Sequence, residues 1–197
     1  MREYIKNYIK NLGAKNLHNL RIECRKKLSY LSIEGLSDTG CEEILKSSSK
    51  LRDTDVMLKI CKNKKIRKLL KKKRKKLNRK FIKVLKNIKF NTITKEKTDF
   101  KNVKKSFEIL KDSFLNKTDK ELHKIRLIIK GFRYTNPEYE KEFKKIQDAL
   151  GKAHDYYKCE KLLKKHSLDF LKAYVKKIKY IKKAEKARKK VLKIIGN

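Results

Sequence analysis

A chain of 197 residues has the length of one ordinary domain or of two half-sized units. Its hydrophobic fraction of 39% recurs at helical intervals, so the 59 Lys and Arg do not mark a disordered tail. Set against 22 Asp and Glu they give a net charge of +37 at pH 7, a field that demands an anionic partner. No apolar run approaches the roughly 18 to 20 residues of a membrane span, and the start MREYIKNYIKNLG lacks the apolar centre and cleavage site of a secretory signal, so a cytoplasmic protein is expected.

One proline, six glycines and few alternating apolar-polar windows predict an all-α fold. In chain order the periodicity predicts a short helix over 2–11 and a His-bearing helix over 16–33. A short helix over 39–46 follows, capped at Asp38-Thr39, then a third beginning near Arg52 and a long Lys-rich helix over 65–88. The same order returns over 99–115, 119–135 and 137–150, with Asn136 as cap and Pro137 in the first turn; a further helix starts near Ala153, and a Lys-rich one spans 167–195. Leu70, Leu77, Phe81, Val84 and Ile88 run as an apolar stripe through and beyond KKKRKKLNRK (71–80), which makes most of its lysines a solvated outer face. Cys24, Cys41, Cys61 and Cys159 share no CxxC spacing and read as buried free thiols, with no metal site.

The elements recur because short stretches of sequence recur. LHNLRIECRKKLSYL from Leu17 matches LHKIRLIIKGFRYTN from Leu122 at an offset of 105, sharing Leu-His, an Arg three residues on and a basic residue four beyond that. SSSKLRDTDVMLKIC (47–61) aligns with ALGKAHDYYKCEKLL (149–163) at an offset of 102, pairing Arg52 with His154 and Asp53 with Asp155. Two helical units of about 1–97 and 98–197 within a single domain are expected.

The cations of the repeated helix take the spacing of a core stripe. At about 100° per residue, His123, Arg126, Lys130 and Arg133 fall within a sector about 80° wide. Leu122, Ile125, Ile129 and Phe132 flank it on one side, Leu127 and Tyr134 on the other. His18, Arg21 and Arg25 form the same line in the first unit, flanked by Leu17, Leu20, Cys24 and Leu28 and by Ile22 and Ile33. Leu28 and Ser29 stand where the second unit has Arg133 and Tyr134, so the second unit carries the fuller set. Apolar flanks place each line at the border of an interior groove instead of open solvent. Cations held there repel one another and lose hydration, so either Asp53, Asp55, Asp148 and Asp155 compensate them or the groove receives an anion. Two units with the same line favour the anion.

These residues resemble the CHAD family, the conserved histidine α-helical domain. The resemblance rests on the repeated His-x-x-Arg-x-x-x-basic helix, on LHKIRLIIKGFRY with its Arg-Tyr ending, and on LRDTDV and LGKAHDYYK, and it covers nearly the whole chain. It implies two helical-bundle repeats related by pseudo-twofold symmetry around a basic central groove that binds inorganic polyphosphate. The ligands so implied are His18, Arg21, Arg25, His123, Arg126, Lys130 and Arg133, with Lys26, Arg52, Tyr134, Lys152 and His154 as weaker anion contacts. Arg52, Lys152 and His154 lie near the expected starts of the third helices, where the helix dipole favours anions, whereas the wheel turns Lys26 outward. Some members of the family are fused to a CYTH triphosphatase domain, whose Glu-x-Glu-x-Lys sits on a strand. Glu140, Glu142 and Lys144 spell that string here in a helical segment, where residues two apart diverge, so a stand-alone member is expected.

Polyphosphate offers charge and no bases, so Arg forks and Lys point charges suffice to hold it. The resemblance extends the expected location to polyphosphate granules. Nucleic acid is the rival partner and a non-specific competitor, since the field attracts it; against it stand the absence of Trp and the burial of most Tyr and Phe on apolar stripes. No P-loop, Gly-rich nucleotide fingerprint or HExxH is present, so neither catalysis nor a cofactor is expected. A membrane-surface role would need apolar faces that the Lys-rich helices spend on the core.

Overall fold

A computed structural model describes residues 1–95, 108–135 and 139–195, and of 33, 131–132, 134–135 and 195 the backbone only. The described chain is mostly helical and falls into two compact units, Met1–Thr98 and Asp99–Asn197.

In the first unit α1 (Arg2–Lys10) buries Ile5 and Tyr8 against α2 (Ala14–Ile33), which contributes Leu17, Leu20 and Cys24 to the core. After α2 the chain turns at Gly35, whose φ of 70° is open to glycine at little cost. It then forms β1 (Leu36–Asp38), paired antiparallel with β2 (Thr92–Thr94) so that Leu36 faces Thr94 and Asp38 faces Thr92. This small ribbon is a minor addition to a described chain that is mostly helical, as the all-α reading expects. Two β-branched threonines and Ile93 suit extended backbone, and three residues a strand are too few to show as alternation. Asp38 ends β1 and also caps α3 (Thr39–Ser47), accepting a hydrogen bond from the Cys41 amide at 2.7 Å while Lys27 donates to its other oxygen at 2.6 Å. A side chain at Gly40 would place its Cβ 2.6 Å from the Lys89 carbonyl, so only glycine lets the returning strand approach.

Helices α4 (Ser49–Ile60) and α5 (Lys64–Asn87) complete the unit. Asn63 caps α5 by accepting from the Ile66 amide at 3.2 Å. Leu70 and Phe81 are buried as the stripe required, joined by Ile66 and Leu85, and Lys71 to Lys73, Lys75, Lys76 and Lys80 are exposed. Arg74 departs from that solvated face: its Nε lies 2.5 Å from Asp55 Oδ1, and its Nη2 donates to the Leu12 carbonyl at 2.6 Å. Buried Asn78 accepts from the Tyr8 hydroxyl at 2.5 Å, and burial pushes the Tyr8 pKa up to about 12.

In the second unit residues 108–111 are helical and a 3-10 turn spans Phe114–Asn116. Then come α6 (Asp119–Thr135), α7 (Glu140–Lys165) and α8 (Leu171–Ile195). Asn136, Pro137 and most of the helix expected over 99–115 lie outside the described residues. The helix start expected near Ala153 is corrected, because α7 runs unbroken for 26 residues through Gly151. A helical glycine costs about 1 kcal/mol, and Ile146, Ala149, Leu150 and Ala153 bury on one face across it, which outweighs that cost. Buried Glu185 accepts from the Phe114 amide at 2.9 Å and pairs with buried Arg188, which donates to the Leu110 carbonyl at 2.6 Å. The 3-10 turn is thereby tied to α8. Cys24 and Cys41 are buried free thiols, as read from the sequence, whereas Cys61 and Cys159 are disulfide-bonded, which corrects that reading for them. Among the described residues no helix is long and apolar enough to cross a membrane.

Candidate anion-binding site

Core packing brings each cation line to half-burial. On α6, Leu122, Ile125 and Ile129 are buried, and the adjoining face holds His123, Arg126, Lys130 and Arg133, all half-buried. The other flank differs from the wheel: Leu127 is 51% exposed, so the line has the core on one side and solvent on the other. Nothing is described of the Tyr134 side chain. In the first unit His18 and Arg21 are half-buried beside Leu17, Leu20 and Cys24, Ile22 is half-buried on the far flank, and Arg25 is exposed.

The second unit gathers its site from two helices. The His154 ring of α7 stacks on His123 with centroids 4.4 Å apart and an interplanar angle of 24°. Burial first, and then the charges of Arg126 and Lys158, hold the His123 pKa below the usual value. Among the described residues no hydrogen-bond partner meets His123 Nδ1 or Arg126 Nε. Arg126 crosses α7 at Gly151, where a Cβ would sit 3.3 Å from Nε, so the glycine leaves room for the guanidinium. Arg133 Nε is 3.8 Å from Glu140 Oε1, an exposed carboxylate worth at most about 1 kcal/mol in such a pair.

In the first unit three cations surround one histidine. Burial and then Arg52, Arg25 and Arg21 lower the His18 pKa, and among the described residues Nδ1 has no hydrogen-bond partner. Arg21 is more tied than the sequence suggested, donating to the Leu45 carbonyl at 2.7 Å and to Ser48 Oγ at 2.5 Å where α3 gives way to α4. Arg25 Nε donates to the Arg21 carbonyl at 3.0 Å. Lys26 is exposed and pairs with Glu23 at 2.8 Å, as its outward place on the wheel implies. Asp55 serves Arg74, Asp148 is exposed, and Asp53 acts on Arg21, raising its pKa against the larger lowering by burial and by Arg25 and Arg52.

Arg52 stands in the first turns of α4, so the dipole argument applies to it. For Lys152 and His154 it is corrected, because the unbroken α7 offers no helix start there. His154 reaches the site by stacking, and Lys152 is exposed on the helix surface. Lys158 was missed by sequence reasoning, although its position four residues after His154 puts both on one face of α7. Glu140, Glu142 and Lys144 are helical, and among the described residues no group of His, Cys, Asp and Glu could hold a metal.

Compared with family models, with curated proteins and with solved structures, the chain matches none.

Proposed function

We propose that this chain is a CHAD-type domain that binds inorganic polyphosphate, or a related phosphate polyanion, without catalysis. The observation that carries the reading is the same in both units: a half-buried histidine hemmed by cations, Arg21, Arg25 and Arg52 about His18, and Arg126 and Lys158 about His123. Like charges at the edge of a core cost stability unless an anion meets them, and phosphate oxygens suit Arg and imidazolium donors together. The ligand set is His18, Arg21, Arg25, His123, Arg126, Lys130 and Arg133, with His154 supporting His123 and Arg52 supporting His18. A basic central groove shared by the two units, and their pseudo-twofold relation, belong to this proposal. So does a place in the cytoplasm at polyphosphate granules.

Nucleic acid is the competing reading, favoured by the exposed lysines of α5. Titration calorimetry with polyphosphate of defined length, at near-physiological salt and with transfer RNA as competitor, separates the two. Tight polyphosphate binding that resists excess RNA and falls at least about tenfold in His18→Asn/His123→Asn supports the proposal. Displacement by RNA, or an unchanged affinity in that variant, overturns it.

A further inference from the structure

The hairpin of α7 and α8 carries a surface unrelated to the histidine sites. Lys177 Nζ lies 3.0 Å from Glu160 Oε2, and Tyr156 stacks on Tyr180 with centroids 5.7 Å apart. These contacts fix an antiparallel register, and further along the hairpin the two helices leave an open trough of about 580 Å³. Ala149 and Val191, both buried, form its floor, and Tyr180, Ala187 and Ile194, seven residues apart along α8 and the last 52% exposed, give it apolar surface. At the helical rise the trough follows α7 for about 15 Å, from Glu142 to Lys152, and α8 for about 21 Å, from Tyr180 to Ile194. That is the length of three to four helical turns.

Exposed lysines edge both sides at a heptad interval: Lys145 and Lys152 on α7, Lys183 and Lys190 on α8. The antiparallel register sets Lys145 opposite Lys190 and Lys152 opposite Lys183. Lys186 adds a fifth cation, against Glu142 and Asp148, so the rim is net positive. An apolar seam bordered on both sides by like charges seven residues apart is the arrangement a coiled-coil helix presents to a partner with opposite charges at its flanking positions. A polyphosphate chain would use the lysines and gain nothing from the apolar side chains between them.

We infer that this trough is a docking groove for an amphipathic helix with acidic flanks, supplied by a partner protein. The partner lays its apolar face on Tyr180, Ala187 and Ile194 and sets its carboxylates against the two lysine rows. The groove is independent of the phosphate reading.

The test uses the full chain and a designed three-heptad peptide with Leu at its seam and Glu at its flanking positions, followed by fluorescence anisotropy and circular dichroism. The peptide is expected to gain helix on binding, and Lys145→Glu/Lys190→Glu to weaken it at least about tenfold. Reversal of two exposed α5 lysines, Lys72→Glu/Lys76→Glu, should change affinity less than about twofold, since at 0.1 M salt charges beyond about 10 Å are largely screened. Equal loss in both variants would assign the binding to the general field and overturn the groove. Equal binding of a peptide with Gln in place of its seam Leu would overturn it too. So would displacement of the peptide by phosphatidylglycerol vesicles that depend on Lys145 and Lys190, which would make a lipid surface the occupant.

Discussion

His18 and His123 are bases whose charged form the fold disfavours, first through burial and then through neighbouring cations. Near and below the ordinary histidine value of about 6.5 the folded chain therefore binds fewer protons at these sites than the unfolded chain. Stability from them rises with pH through that window and is lost as pH falls through it. A bound polyanion reverses the local field, raises the same pKa values and takes up protons. Two results follow for measurement. The melting temperature of the free chain should drop between about pH 7 and 5.5, and less so in His18→Asn/His123→Asn. Polyphosphate affinity should weaken between about pH 6 and 8, with proton uptake visible as a dependence of the calorimetric heat on buffer; affinity constant across that range would remove the histidines from binding. Gly151 sets two effects of opposite sign against each other. Alanine there gains about 0.5–1 kcal/mol of helix stability, while its Cβ presses on the Arg126 Nε, which sits on a flexible side chain and can shift by a few tenths of an ångström. The helix term should win, so Gly151→Ala should melt at a higher temperature while binding polyphosphate more weakly. A lower melting temperature would mean that Arg126 is held more rigidly than this.

At the level of elements, the carboxylate of Glu185 is held below its usual pKa chiefly by the bonds from Arg188. Both groups are 6% exposed, and together they fasten the 3-10 turn to α8. Arg188→Met leaves a buried carboxylate with the Phe114 amide alone, and should cost about 3–5 kcal/mol in urea unfolding. Glu185→Gln/Arg188→Met, with no charge left uncompensated, should recover most of that loss; a single-variant cost below about 1 kcal/mol would show the pair to be solvated. Such long-range ties are what periodicity does not reveal. It located α2, α5 and α6, and it turned Leu122, Ile125 and Ile129 inward, because one helix's apolar face is local information. It did not show which helix the cation line faces. The His123–His154 stack depends on α7 continuing through Gly151, and that continuity is decided by buried residues on either side of a glycine that reads as a turn in isolation. For the same reason Arg74 looked like one more solvated cation, since its partner Asp55 lies 19 residues earlier on another helix.

On the scale of the whole molecule, a net charge of +37 means that nearly any polyanion will bind at low salt, so affinity alone says little about the site. What distinguishes a built site from the field is how the loss divides between ligands. The exposed lysines of α5 act on any polyanion through the solvent and are screened over about 10 Å at 0.1 M salt. The half-buried cations Arg21 and Arg52 at His18 and Arg126 and Lys158 at His123 act at short range, where screening is weaker and direct hydrogen bonds count. Raising salt from about 0.15 to 0.5 M should therefore cost transfer RNA more affinity than polyphosphate, and the two variant sets should act oppositely. His18→Asn/His123→Asn should weaken polyphosphate by about tenfold or more and RNA by less than about twofold, whereas Lys72→Glu/Lys76→Glu should act mainly on RNA. Filter binding of both ligands to the three proteins, at both salts, reads this directly. Parallel losses in every combination would mean that the chain holds polyanions by its charge alone and that the histidine lines are ordinary core borders.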